Sequence, residues 1–249
     1  MIRIKNAEDI AKLAEGGKRL ARVLHHVASE VRPGVSTAEL DESAERLIVK
    51  LGGQPSFKGF NDYPAATCIS INEGVVHGIP SSKRIIKSGD VVGVDIGMKY
   101  QGLFTDMAAT VPAGKISAEA KKLIEVTKKS LDKAIALVKP GVPIGDIGHA
   151  VQQYAESFGF SVVKSLVGHG VGYAVHEEPR IPNFGKRGQG IRLSAGMVIA
   201  LEPMVNIGGD EVVTLSDGWT IVTSDGSCSA HFEHTIAVTD TGCLVLTRE

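Results

Sequence analysis

The sequence predicts an α+β domain in which two related halves share one sheet and carry their helices outside it. Apolar residues recur at helical spacing in long stretches near the start of each half. Short Val- and Ile-rich runs bounded by glycine read as strands. Segments also recur at a common offset of 107 residues. Val31-Arg32-Pro33-Gly34-Val35 matches Val138-Lys139-Pro140-Gly141-Val142, Leu51-Gly52-Gly53 matches Phe158-Gly159-Phe160, and Ser88 to Asp95 matches Ala195 to Glu202. Three matches at one offset point to duplicated halves, roughly residues 1–112 and 113–249. No Ser- or Pro-rich linker parts them, so a single domain over 1–249 is expected.

The elements follow in order. Ile10, Leu13, Leu20, Val23, Leu24 and Val27 form one face of a helix over 7–31, which Pro33-Gly34 stops. Ser36 and Glu39 stand in capping-box register at the start of the next helix, whose apolar face is Leu40, Ala44, Leu47, Ile48 and Leu51. Residues 54–81 read as loop and short strands. Two strands then flank the turn Gly97 to Gly102, one carrying Asp95 and the other Asp106. Ser117 opens a long amphipathic helix through Leu123, Val126, Leu131, Ile135 and Val138. In the second half, Glu202-Pro203 ends one strand and Glu233-His234-Thr235 starts another.

Bulk properties narrow the function. The chain has 249 residues and a formal net charge of −1, which gives no pull toward nucleic acid or a membrane surface. No apolar run approaches the roughly 20 residues that span a bilayer. Residues 1–9 lack the apolar core of a signal peptide. Three cysteines, Cys68, Cys228 and Cys243, have no CxxC spacing and indicate neither a disulfide framework nor a zinc knuckle. A cytoplasmic protein with no membrane or sequence-specific nucleic-acid partner is expected.

The chemistry lies in the acids. A charged carboxylate in an apolar strand costs several kcal/mol unless paired or bound to a cation. Asp95, Asp106, Glu202 and Glu233 all lie in or beside such strands, while His169 is flanked by glycines that let a ligand come close. Four converging carboxylates would repel, whereas two divalent cations would offset their charge. The set is oxygen-rich and suits manganese, iron(II) or cobalt at least as well as zinc. Two such ions roughly 3.5–4 Å apart activate water for hydrolysis. Glu177 and Glu178, adjacent in sequence, are read as solvated or structural.

Asp95, Asp106, Gly168-His169-Gly170-Val171-Gly172, Glu202-Pro203-Met204 and Glu233-His234-Thr235 together resemble the metal-ligand pattern of the type I methionine aminopeptidases. Ile69 to Pro80, His176-Glu177-Glu178-Pro179 and Asp217-Gly218-Trp219-Thr220 add to the resemblance, which covers nearly the whole chain. It implies the pita-bread fold, a pseudo-two-fold repeat of helices on a curved antiparallel sheet with a dinuclear metal site at its centre. It also implies removal of an N-terminal methionine when the second residue is small. By resemblance, Asp95 binds one metal and His169 the other, Asp106 and Glu233 bridge both, and Glu202 binds the His169 metal and passes the proton of the attacking water. His77 and His176 match the family's two non-ligand histidines at the scissile amide. Phe57, Phe60, Tyr63, Cys68, Met204, Trp219 and His231 match the methionine pocket, with Phe57, Val175 and His231 departing from common family residues. Asn72 and Ser229 match a site for a monovalent cation. The family further implies action on the N-terminal peptides of new proteins, a ribosome contact and a monomer.

The aminopeptidase P and prolidase group uses the same five ligand types, but carries a separate N-terminal domain that this length does not accommodate. Type II enzymes have a long insertion between the ligand His and the next Glu, whereas His169 and Glu202 lie only 33 positions apart. Non-catalytic pita-bread proteins lack the ligands, and all five are present here.

Overall fold

The structure is a computed structural model that describes residues 1–248. Four helices, α1 (Ala7–Glu30), α2 (Thr37–Lys50), α3 (Ala118–Leu137) and α4 (Ile144–Glu156), pack outside a sheet of nine strands among the described residues. Asn6 with Asp9 and Ser36 with Glu39 close capping boxes at the starts of α1 and α2, and the Ser117 side chain caps α3. Gly52, at φ 78°, takes the left-handed conformation just beyond α2, where a side chain would strain the backbone.

Across the sheet the order is Gln54–Pro55, Val91–Tyr100, Leu103–Pro112, Glu233–Val238, Val198–Leu201, Val167–Gly170 and Glu177–Pro182. Thr67–Ile71 joins the Val91 strand and Cys243–Val245 the Glu233 strand. Every pairing is antiparallel. Each half fills its own core. Leu20, Leu24, Leu40 and Ile48 of α1 and α2 pack with Val92, Val94, Ile96 and Met98, while Leu123, Leu131, Ile147 and Val151 of α3 and α4 pack with Ile199, Leu201, Ile236 and Val238. Burying each such side chain contributes roughly 1.5–3 kcal/mol.

The pseudo-two-fold relation is written in the hydrogen bonds. Gly34 N–H donates to Ile86 and Gly141 N–H to Leu193, each at a 107-residue offset from the other, and Thr37 to Arg84 is repeated as Ile144 to Ile191. The isolated bridge Ser36 to Ile85 recurs as Pro143 to Arg192. On the returning strands the step changes. Val91 faces Pro112 and Val198 faces Ala237, so Pro112 and its equivalent differ by 125. The axis passes where Ala108 faces Glu233, the one inter-half pair that this step maps onto itself.

Candidate metal centre

The Val91–Tyr100 strand alternates strictly at its middle. Val92, Val94, Ile96 and Met98 are fully buried toward α1 and α2, which turns Gly93, Asp95 and Gly97 to the opposite face. Asp95 stands opposite Ala108, and Ala108 in turn stands opposite Glu233. A small residue at 108 thus separates two acids in one row across the sheet. Asp106, two positions from Ala108, shares its face, and Glu202 follows directly on Leu201, which pairs with His234. His169 pairs with Ala200, two positions before Glu202. Asp95 and Glu202, which the 107-residue offset relates, border one cavity together with Asp106, His169 and Glu233. Asp106 and Glu233 are not equivalents: the 125-residue step carries Asp106 onto His231 and Glu233 onto Ala108.

One ligand atom each of Asp106, His169 and Glu233 lie within 4.8 Å of one another. His169 Nε2 is 3.4 Å from Glu202 Oε1. Its Nδ1 meets the Gly170 carbonyl at 2.9 Å, and a carbonyl only accepts, so Nδ1 carries the proton and Nε2 keeps its lone pair for the cluster. Thr235 clasps the Asp106 backbone, accepting its N–H at 2.9 Å and donating to its carbonyl at 2.7 Å. Asp95 Oδ1 and Glu233 Oε1 are buried without any hydrogen-bond partner. Such oxygens cost free energy unless something positive meets them. Burial and then the neighbouring carboxylates push Asp95 and Glu233 well above the usual carboxylate range and Asp106 up to about 7; burial takes Glu202 up to about 8. Burial also holds the His169 imidazole neutral, down to about 3. Unpartnered oxygens, mutually repelling carboxylates and a neutral imidazole form a donor set that fits divalent cations.

The acids floor a cavity of about 630 Å³. His77, at φ 58°, and His176 line it, the latter with its ring centroid 4.4 Å from that of His169. Burial lowers His77 to about 4. Phe57, Phe60, Tyr63, Cys68, Met204 and Trp219 form apolar walls, with Tyr63 edge-on to Trp219 at 5.0 Å and Phe60 edge-on to His176 at 5.4 Å.

The profile of metallopeptidase family M24 matches residues 11–240. This chain belongs to metallopeptidase family M24. Methionine aminopeptidase 1 of Bacillus subtilis is 49% identical over the full length of both chains. The crystal structure of a methionine aminopeptidase from Thermotoga maritima superposes with a TM-score of 0.98 at 46% identity, covering all of both chains. Prolidase from Pyrococcus furiosus, at 23% identity, shares the fold with a TM-score of 0.78, spanning 99% of this chain and 65% of its own. The pita-bread architecture expected from the sequence is therefore the observed one, and M24 membership brings divalent-metal use with it.

Within this M24 chain His231 lies elsewhere than the sequence implied. His231 is not on the cavity wall. It is buried beside Glu202, its Nε2 3.5 Å from Oε2, because it sits on the short Ser229–His231 strand behind the acids. Asn72 and Ser229, matched to a monovalent-cation site apart from the methionine pocket, adjoin one another, joined by a 2.8 Å bond from Ser229 N–H to the Asn72 carbonyl. His169 lies in a strand, Val167–Gly170, that its flanking glycines concealed. Those glycines are needed because a side chain at Gly168 would meet the Ala200 carbonyl and one at Gly170 that of Glu178. As read from the sequence, Glu177 is structural, paired with Lys5 inside the protein, and Glu178 is solvated.

Proposed function

We propose that this M24 peptidase removes the N-terminal methionine from new proteins and peptides whose second residue is small. In this reading Asp95, Asp106, His169, Glu202 and Glu233 hold two divalent cations, with cobalt, manganese, iron(II) and zinc all compatible. The observation that carries it is the convergence of four carboxylates and a neutral imidazole, two of their oxygens unpartnered, under an apolar cavity of this size. The 49% identity to a methionine aminopeptidase supports the choice of substrate.

When bound, the cations polarise the scissile carbonyl and lower the pKa of the attacking water. The residues of the chain do the rest. Glu202, at the edge of the acid cluster and ionised beside bound cations, would take a proton from the attacking water and return it to the leaving amine. His77, neutral near pH 7, offers an N–H donor and an acceptor toward the scissile amide, and His176 lines the same cavity beside His169. Phe57, Phe60, Tyr63, Cys68, Met204 and Trp219 receive the unbranched thioether, a flexible polarizable group suited to aromatic walls. His231 supports Glu202 from behind. Asn72 and Ser229 remain the proposed monovalent-cation site. No helix of the described residues is long and apolar enough to cross a membrane. We place the enzyme in the cytoplasm as a single-domain monomer acting on chains as they leave the ribosome.

The test is hydrolysis of Met-Ala-Ser by metal-stripped protein with each divalent ion restored in turn. Release of methionine with at least one ion is expected, with failure when Arg or Leu follows methionine. Efficient removal of other N-terminal residues, or cleavage only before proline, would defeat the assignment.

A further inference from the structure

The segment before α1 is bound to the loop that carries His176 by contacts the metal chemistry does not use. The Lys5 side chain is 1% exposed, and its Nζ lies 2.7 Å from Glu177 Oε2 and 3.2 Å from the Arg3 carbonyl. The other oxygen of Glu177 accepts the backbone N–H groups of Tyr173 and Ala174, closing the turn between them. Lys5 N–H donates to the Gly196 carbonyl at 2.8 Å. The Arg3 guanidinium lies 4.1 Å over the Tyr173 ring, whose hydroxyl donates to Asp9 near the start of α1. Gly172, at φ 134°, leaves room for the lysine stem, since a Cβ there would come within 2.6 Å of Lys5 Cε. One ammonium thus reaches across the sequence to a carboxylate adjacent to His176.

A buried ion pair adds little net stability over an apolar pair, but removing one partner strands the other charge, so the pair fixes where its backbone can sit. Here that backbone is the turn from Tyr173 to Glu177. His176 lies inside it, against Phe60 on one side and His169 on the other. We propose that Lys5 is a positioning residue for the reaction: it holds Glu177, Glu177 holds the turn, and the turn aims the His176 imidazole at the substrate. This rests on the role given to His176 above.

The test combines amide exchange with turnover in Lys5→Met, His176→Ala and the double variant. In metal-free wild type the Tyr173 and Ala174 amides are expected to exchange slowly, and in Lys5→Met much faster, at an unchanged rate in the α3 and α4 amides. Turnover of Met-Ala-Ser should fall about tenfold or more in kcat, with a smaller change in KM, as a misaimed group would give. In the His176→Ala background, Lys5→Met should cost no further activity. Unchanged exchange at Tyr173 and Ala174, or the same fold loss with and without His176, overturns the proposal. If Lys5→Met alone fails to fold, Lys5→Met/Glu177→Gln removes the stranded charge and is scored by the same criteria. Exchange needs neither metal nor substrate, so it judges the Lys5–Glu177 tether even if wild type cleaves no methionyl peptide; that inactivity would overturn the assigned reaction, and with it the aiming of His176.

Discussion

Stripping the metals should invert the pH dependence of stability. Without cations the four acids fold most readily as neutral carboxyls: Asp106 is raised to about 7, Glu202 to about 8, and Asp95 and Glu233 well above the carboxylate range. In the unfolded chain all four ionise near pH 4. The native state therefore binds more protons than the unfolded state at neutral pH, and stability falls as pH rises through the folded values. The histidines act oppositely. His77, His169 and His231 are held at about 4, 3 and 3, so they favour unfolding only as pH drops below roughly 6.5. Between about pH 7 and pH 9 the acids thus dominate, and the thiols of Cys68, Cys228 and Cys243, which burial raises, add a loss of the same sign toward the upper end. A group that stays protonated across that window loses about 1.4 kcal/mol per pH unit. Glu202, held at about 8, alone contributes a loss of about 1.4 kcal/mol across the window, Asp95 and Glu233 add to it with the same sign, and a Tm lower by a few degrees or more is expected. Differential scanning calorimetry in excess chelator would measure it. Saturating Mn²⁺ should reverse the slope, because cations bind the ionised form. A chelated Tm that is flat or rises from about pH 7 to pH 9 would refute the view that these acids are uncompensated without metal.

Two further substitutions probe the site from different sides. Asp106→Asn should nearly abolish turnover and weaken divalent-ion binding, read by calorimetric titration, because a neutral amide cannot offset cations; near-normal activity with full metal occupancy would remove Asp106 from the site. Gly97→Ala should cost about 1–3 kcal/mol in chemical denaturation and loosen selectivity for methionine over leucine, since the added methyl would run into Ser56 Oγ and the Phe57 ring on the cavity wall; unchanged stability and selectivity would show that the wall accommodates it.

The helices were legible because their signals are local. Capping residues at Ser36 and Ser117 and the Pro-Gly stops act within a turn of the chain. The four acids were legible for a different reason: a carboxylate amid valines is costly enough to require an explanation wherever the strands go. His169 was harder, since its strand is built of glycines whose necessity lies in the carbonyls of Ala200 and Glu178, far off in sequence. The place of His231 depends on the short strand ending at His231, just before Phe232 and the Glu233 strand, a change of pairing partner that no periodicity announces. Lys5 and Glu177 are 172 residues apart, and an ion pair between them has no sequence signature at all.

The change of step from 107 to 125 between the two halves has a consequence for how such a protein can vary. In the first half the acid-bearing strand returns through the short turn at Gln101-Gly102, whereas the equivalent return in the second half is eighteen residues longer. That excursion carries Met204 and Trp219 to the cavity and His231 to Glu202. Both its ends are clamped in the central sheet, by Leu201 against His234 and by Glu233 against Ala108. Substitutions within the excursion can therefore reshape what the cavity admits while the row of acids keeps its register. One copy of the repeat preserves the hairpin, and the other is free to diverge toward new substrates.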